Sequence, residues 1–240
     1  MDLNKVEQLR QVVDRSHRIV FFGGAGVSTE SGIPDFRSVD GLYNQQYSEP
    51  PEEILSHHYF LCQPEDFFRF YRNKMIYPDA QPNAAHKRLA QWEAEGRLIA
   101  VVTQNIDGLH QKAGSQKVYE LHGSVLRNHC MRCRKFYGLD YIMKTKGVPH
   151  CDCGGIIKPD VVLYEEGLEE QTIRQSVDAI SRADTLIIGG TSLAVYPAAG
   201  FVNYFQGDNL VLINRDPTPQ DQHATLLIRD PIGEVMEALG

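Results

Sequence analysis

Short, uninterrupted apolar runs recur along this chain and alternate with stretches of helical periodicity. Each run spans four to six residues, is rich in β-branched side chains and is followed by glycine or a polar residue. Runs of this kind are typical of strands that are buried on both faces, as in a parallel sheet. We therefore predict strands at residues 18–22, 98–103, 185–188, 210–213 and 225–228.

Helical patterns separate the predicted strands. Apolar residues three or four positions apart predict an amphipathic helix over residues 4–16. A second helix is predicted over residues 83–95, where Asn83 is an N-cap candidate, and a third over residues 194–205. Strands and helices that alternate in this way predict a doubly wound, Rossmann-like α/β domain with a parallel sheet.

Two stretches interrupt the alternation. Residues 37–80 are rich in Tyr, Phe and Pro, and residues 123–157 hold four cysteines. We interpret both as insertions that form a smaller domain with a helical part and a zinc module. The Rossmann-like domain is then expected to consist of residues 1–36, 81–122 and 158–240. A chain of 240 residues, 42% of them hydrophobic, is long enough for one large domain that carries a small one.

Composition narrows the range of partners. The net charge of −7 argues against a nucleic-acid backbone, which calls for a basic face. No apolar run approaches the ~20 residues of a membrane span, and the N-terminus lacks the charged and apolar regions of a signal peptide. We therefore expect a soluble cytoplasmic protein whose partners include neither nucleic acid nor membrane.

Four of the five cysteines lie within 24 residues, in two close pairs: Cys130 with Cys133, and Cys151 with Cys153. Two such pairs supply the four thiolates of a tetrahedral metal site, and zinc is the metal that suits them best. Four thiolates leave no position for water, so one structural zinc ion is predicted. Two disulfides are the alternative, but they would leave Cys62 unpaired in an oxidising compartment.

Glycine or polar residues follow the predicted strands, where parallel sheets bind their ligands. Gly24 and Gly26 follow the first strand, and backbone amides at such a turn can approach a dinucleotide pyrophosphate. Thr29 occupies the third position of the G-x-G-x-x-G pattern, so a plain glycine turn is the alternative. A second glycine turn at residues 189–192 and Asn214 follow later strands. Together these positions favour a nucleotide site.

Further polar side chains follow the strand at residues 98–103. Gln104, Asn105 and Asp107 lie in the next loop, where turn formation or capping is the alternative to a binding role. His122 ends a short predicted strand between the sheet and the cysteine-bearing insertion. Its position there makes it our first candidate for a general base.

Several of these residues belong to longer motifs, which are residues 24–37 (GAGVSTESGIPDFR), 103–110 (TQNIDGLH), 120–123 (ELHG), 158–162 (KPDVV), 190–192 (GTS) and 213–214 (IN). With the two cysteine pairs, these motifs resemble the sirtuin family over residues 6–236, and above all its short bacterial members. The resemblance implies NAD-dependent removal of acyl groups from protein lysines, which yields nicotinamide and O-acyl-ADP-ribose.

The resemblance also implies roles for individual residues. NAD is expected as a co-substrate, His122 as the base that activates a ribose hydroxyl, and Asn105 and Asp107 as further catalytic residues that hold nicotinamide and its ribose. Val161 and Val162 are implied as walls of a tunnel for the acetylated lysine side chains of proteins. The implied NAD contacts are Ala25, Thr29, Phe36, Arg37, Gln104, Asn105, Ile106, Asp107, His122, Thr191, Ser192, Asn214 and Ile232.

Two departures from the family pattern matter. Residues 164–166 read Tyr-Glu-Glu in place of an aromatic residue, Gly and Glu, which leaves the details of peptide binding open. The second cysteine pair is one residue shorter than the usual Cys-x-x-Cys, so His150 is an alternative to Cys151 as the fourth zinc ligand.

The leading functional hypothesis is an NAD-dependent protein-lysine deacetylase that transfers the acetyl group to ADP-ribose and releases nicotinamide. A protein ADP-ribosyltransferase and a deacylase of other acyl groups use the same NAD cleavage. A dehydrogenase built on the same sheet and a non-catalytic zinc-bearing interaction module are the remaining alternatives.

Overall fold

A parallel sheet organises the fold. The structure, a computed structural model, describes residues 1–36, 41 and 49–240. Its described strands are β1 (Ile19–Gly23), β2 (Leu98–Thr103), β3 (Val118–Glu120), β4 (Arg127–Cys130), β5 (Phe136–Gly138), β6 (Ile157–Pro159), β7 (Thr185–Gly189), β8 (Asn209–Ile213) and β9 (Leu226–Ile228). Six of them form a sheet in the order β3-β2-β1-β7-β8-β9, with every neighbouring pair parallel. Renumbered among themselves, these strands follow the 3-2-1-4-5-6 order of Rossmann-type domains. The predicted fold class is confirmed.

The five apolar runs predicted as strands correspond to β1, β2, β7, β8 and β9, and no end differs by more than one residue. All residues of β1 and β7 are buried. These two strands are central in the sheet and covered on both faces, which is why their sequences show no alternation of polar and apolar residues.

The helices cover the sheet on both sides. Those described are α1 (Leu3–Arg15), α2 (Pro51–Ile54), α3 (His57–Cys62), α4 (Pro64–Lys74), α5 (Ala84–Ala94), α6 (Leu109–Ala113), α7 (Leu139–Lys144), α8 (Glu170–Arg182) and α9 (Ile232–Ala238). Apolar residues of α1, α5 and α9 pack with Phe21 of β1 on one face, and those of α8 pack with Phe22 on the other. Asn83 caps α5, because its side chain accepts a hydrogen bond from the Ala85 N–H.

The prediction of a helix over residues 194–205 is wrong in the type of helix and in its first residue. The segment forms a 3-10 helix over Ala198–Tyr204 that begins after Pro197. A proline disfavours helical backbone at the preceding residue and lacks the N–H that an α-helix would use, so the helical periodicity before Pro197 does not become a helix.

A second lobe contains the zinc module. Strands β5, β4 and β6 form an antiparallel sheet in that order. Its core joins aromatic residues of α3 and α4, such as Phe60 and Phe67, to Tyr137 of β5 and Ile157 of β6. The proposed domain boundaries stay a prediction, and residues 37–40 and 42–48 of the first insertion lie outside the described residues.

None of the helices in the described part of the chain has the length and hydrophobicity that crossing a membrane requires.

Candidate active site

Two glycine turns meet at the carboxyl end of β1. The backbone N–H of Gly26 donates to the carbonyl oxygen of Gly190 at 2.8 Å. A Cβ at Gly26 would lie 2.8 Å from the Gly190 Cα, and one at Gly190, where φ is +57°, would lie 2.3 Å from the Val27 nitrogen. Only glycine fits both positions. Strand order reverses between β1 and β7, so this contact lies at the point where Rossmann-type sheets bind their ligands.

Contacts to two helices hold the loop after β1 in place. The loop contains two short 3-10 helices, and the Asn83 side-chain amide at the start of α5 donates to its Val27 carbonyl at 2.8 Å. On the other side, the Glu30 carboxylate accepts a hydrogen bond of 2.7 Å from the backbone N–H of Gly233 in α9. The loop is therefore fixed against both helices.

A buried hydrogen-bond chain joins this loop to the segment after β2. The Asn105 side-chain amide donates to Ser28 Oγ at 3.1 Å, and Ser28 Oγ donates to Asp107 Oδ2 at 2.7 Å. The other Asp107 oxygen accepts the Leu109 N–H at 2.8 Å. Burial raises the pKa of Asp107, and the hydrogen bonds from Leu109 and Ser28 act in the opposite direction. These hydrogen bonds orient the Asn105 amide and the Asp107 carboxyl group side by side.

His122 presents one ring nitrogen as a base. Its Nδ1 lies 3.1 Å from the carbonyl oxygen of Gln104, which can only accept, so Nδ1 carries the proton and Nε2 has the free lone pair. Burial lowers the pKa of His122, while the Gln104 contact opposes that shift. The imidazole is therefore neutral near pH 7. The Gln104 side chain in turn donates to Thr191 Oγ1 at 3.0 Å, which joins this segment to the second glycine turn.

A cavity of about 660 Å³ lies at the carboxyl edge of the large sheet, between the sheet and the second lobe. This volume is within the roughly 300–1,000 Å³ range of small-molecule sites. The structure brings to its walls every residue predicted to contact NAD or substrate, except Arg37, which lies outside the described residues. Those lining residues are Ala25, Thr29, Phe36, Gln104, Asn105, Ile106, Asp107, His122, Val161, Val162, Thr191, Ser192, Asn214 and Ile232.

Val161 and Val162 form an apolar part of the wall beside His122. The backbone N–H of Val162 donates to the carbonyl oxygen of His122 at 3.0 Å. Val161 is buried, and Val162 is partly accessible from the cavity. Aliphatic side chains at this position suit the methylene stem of a lysine more than they suit a charged group.

The four cysteines form one cluster in the second lobe. Their Sγ atoms all lie within 4.8 Å of one another; the cysteines are Cys130, Cys133, Cys151 and Cys153. The Sγ atoms of Cys130 and Cys153 are 3.4 Å apart, too far for a disulfide bond and close to the roughly 3.8 Å expected around tetrahedral zinc with Zn–S bonds of ~2.3 Å. The residues fit a structural zinc ion. His150 is exposed and lies outside the cluster, so the cysteine alternative is the one that the geometry favours.

Ser28 is a site residue that the sequence analysis missed. It is 1% exposed and joins Asn105 to Asp107. The only sequence signal is a hydroxyl residue two positions after Gly26, and a hydroxyl is common in turns for other reasons. The approach of Ser28 to a loop nearly eighty residues later depends on the sheet.

Comparisons with known proteins agree with the fold and identify the family. The Sir2 family model matches residues 24–197. An NAD-dependent protein deacetylase of Clostridium acetobutylicum is 60% identical, with 99% of this chain and 98% of that protein covered. An NAD-dependent protein deacetylase of Staphylococcus aureus (strain Mu50) is 46% identical, with 98% of both chains covered.

Solved structures of Sir2 proteins have the same fold as this chain. A structure of Sir2 with a deacetylated p53 peptide and 3′-O-acetyl-ADP-ribose has a TM-score of 0.89 and 39% identity, and the match covers 97% of this chain and 96% of that chain. A structure of Sir2 with a p53 peptide and NAD⁺ has a TM-score of 0.85 and 39% identity over 98% and 96% of the two chains. The fold and site define a protein with a Rossmann-type sheet, a second lobe with a zinc module, and a cavity of nucleotide size between the sheet and that lobe. This chain belongs to the Sir2 family, the sirtuin family that its motifs resemble.

Proposed function

We propose that this protein is an NAD-dependent protein deacetylase that transfers the acetyl group of an acetyl-lysine side chain to ADP-ribose and releases nicotinamide. The observation that carries the proposal is the convergence of a neutral histidine, a buried amide–carboxyl pair and an apolar wall on one cavity at the switch point of the sheet. The activity is that of the named relatives at 46–60% identity.

The cavity provides separate surfaces for the parts of NAD. Backbone amides of the loop after β1 and the hydroxyls of Thr191 and Ser192 suit phosphate and ribose oxygens, while Asn214 and Ile232 suit the adenosine end. Asn105 and Asp107, fixed by Ser28, orient the nicotinamide amide and its ribose. NAD supplies the ADP-ribosyl group that accepts the acetyl group as nicotinamide leaves.

His122 acts as the general base. With its Nδ1 proton held by the Gln104 carbonyl, Nε2 can take a proton from a ribose hydroxyl. The acyl oxygen first displaces nicotinamide at C1′ of the ribose, and the deprotonated hydroxyl then attacks the acyl carbon. Addition of water releases the lysine amine and leaves the acetyl group as an ester on the ribose. The lowered pKa keeps Nε2 unprotonated at neutral pH, so no deprotonation step precedes catalysis. The carbonyl also fixes the ring orientation.

The apolar wall and Phe36 shield C1′ of the ribose from water while nicotinamide leaves. Val161 and Val162 surround the lysine stem, and Phe36 lines the same cavity and packs against the core of the second lobe. Exclusion of water matters because hydrolysis of NAD competes with acetyl transfer. The four cysteines, none of which lines the cavity, would hold a zinc ion that keeps the second lobe folded.

Nicotinamide release tests the proposal. The protein is incubated with NAD and either an acetyl-lysine peptide or the same peptide with unmodified lysine. The proposal predicts that nicotinamide is released with the acetylated peptide and not with the unmodified one. Release that does not depend on acetylation, or the appearance of NADH, would contradict it.

The position of a label on the adenosine part of NAD tests the alternative of ADP-ribosyl transfer. The proposal predicts that the label is recovered in soluble acetyl-ADP-ribose. Label that remains covalently on protein would favour the transferase alternative.

A further inference from the structure

A largely buried ion pair lies beside the apolar wall of the cavity, which Glu166 also lines and Lys158 does not. The Lys158 ammonium is 2.9 Å from Glu166 Oε2, and the two side chains are only 17% and 20% exposed. Neither residue is among the predicted contacts to NAD or substrate. The desolvation of two charges has a cost, which geometry and further hydrogen bonds must offset.

The pair holds the backbone of the two wall residues on either side of Val162. Lys158 Nζ donates to the carbonyl oxygen of Val161 at 3.0 Å, and the backbone N–H of Leu163 donates to Glu166 Oε2 at 2.9 Å. Between them, the Val162 N–H donates to the carbonyl of His122. The position of the wall relative to the base therefore depends on the ion pair.

The same segment is attached to the start of α3. The second oxygen of Glu166, Oε1, lies 2.7 Å from His57 Nδ1, and the backbone N–H of His57 donates to the Tyr164 carbonyl at 3.0 Å. Glu165 has a φ of +75°, in the left-handed region, and its carboxylate accepts the His58 N–H at 2.9 Å. Glu165, at the position of the family's glycine, thus adds one carboxylate contact to the helix end that Glu166 also contacts.

Glu166 is ionised in this setting. Burial alone would raise the pKa of Glu166, but the hydrogen bonds from Leu163, His57 and Lys158 and the charge of Lys158 lower it overall. Its replacement by an uncharged side chain leaves the Lys158 ammonium partly buried without a carboxylate.

We propose that Lys158 and Glu166 are positioning residues for acetyl-lysine recognition, which set the place of residues 161–163 relative to His122 through their contacts to the Val161 carbonyl and the Leu163 N–H. The proposal rests on the proposed function. It predicts that the pair controls affinity for the acetylated peptide and leaves NAD binding unaffected.

Glu166→Gln tests the proposal, with Glu170→Gln as the matched control. Glu170 pairs with Arg174 on the surface of α8, and both side chains are more than 70% exposed. Loss of a hydrogen-bonded charge is expected to reduce peptide affinity and kcat/KM for the peptide roughly 10-fold or more in Glu166→Gln. Affinity for ADP-ribose, measured by calorimetry, is expected to stay within about two-fold. Glu170→Gln is expected to change neither.

Two further variants separate positioning from general loss of structure. Lys158→Met combined with Glu166→Gln is expected to cost about as much peptide affinity as either change alone, because the residues act as a unit. Lys158→Arg is expected to retain most of the affinity, since it keeps the charge. A similar loss of ADP-ribose and peptide binding in Glu166→Gln would overturn the positioning role in favour of a structural one.

Peptide affinity is measured directly by fluorescence anisotropy, so the outcomes remain distinguishable. If the wild-type protein deacetylates the peptide and Glu166→Gln binds the peptide with unchanged affinity, the positioning role is overturned and the proposed function is not. A wild-type protein that neither binds nor deacetylates the peptide overturns the proposed function and, with it, this proposal.

Discussion

Two buried histidines should make the protein less stable in mild acid. His86 and His110 are 0% and 1% exposed, and their ring centroids are 4.7 Å apart. His86 Nδ1 accepts the N–H of Asn83, whereas His86 Nε2 and both His110 nitrogens have no hydrogen-bond partner in the described structure. A proton added to either ring would bury a charge beside another imidazole.

The size of the effect follows from the pKa of His86, which burial lowers from 6.5 to about 4. The unfolded chain therefore binds a proton at this position between these pH values and the folded chain does not, so the free energy of unfolding falls as pH falls below 6.5. At ~1.36 kcal/mol for each pKa unit, the loss is about 2 kcal/mol at pH 5 relative to pH 8. The pKa of His110 is also lowered, first by burial and then by His86, and it adds to this loss.

Urea unfolding at pH 8, 6.5 and 5 measures the effect, with His86→Gln as the comparison. Gln can accept the Asn83 N–H but does not titrate. Any release of zinc in acid affects both proteins alike, so the difference in their pH dependence isolates the histidine. His86→Gln is expected to lose about 2 kcal/mol less than wild type between pH 8 and pH 5. An equal loss in both proteins would refute the reasoning.

Three further predictions concern the site and the metal. His122→Ala is expected to lower kcat by ~10²–10⁴-fold while ADP-ribose affinity and zinc content stay unchanged; retention of more than about a tenth of the rate would exclude the base role. Asp107→Asn keeps one acceptor where two are used, so nicotinamide exchange and deacetylation should both fall by roughly one to two decades, and normal exchange with lost deacetylation would contradict this role. Cys151→Ala should lose zinc and His150→Ala should retain it, as metal analysis of the purified variants will show; the reverse result would make His150 the ligand.

Local sequence was sufficient to predict the large sheet and many of the residues that line the cavity at its carboxyl edge. Buried strands such as β1 and β7 have no solvent face, so their continuous apolar runs identify them directly. Parallel strands also bring their carboxyl ends to one edge, which is why glycine and polar residues distant in sequence meet around the cavity. Apolar spacing predicts a helix from residue 194, but no helix forms before Ala198 because Pro197 disfavours helical backbone at the residue before it.

Contacts between distant segments could not be predicted in this way. Spacing gives no indication that Ser28 joins Asn105 to Asp107, or that His86 lies against His110. These contacts exist only when helices and loops from different parts of the chain pack together. The predicted loss of stability in acid depends on the histidine contact, and the predicted effect of Asp107→Asn depends on the Ser28 contact.

The stoichiometry of the products tests the central claim most directly. Wild-type protein is incubated with NAD and an acetyl-lysine peptide, and nicotinamide, deacetylated peptide and acetyl-ADP-ribose are quantified by mass spectrometry. Acetyl transfer in this cavity predicts that the three products form in equal amounts at every time point. Free acetate in place of acetyl-ADP-ribose, or deacetylated peptide without nicotinamide, would contradict the account.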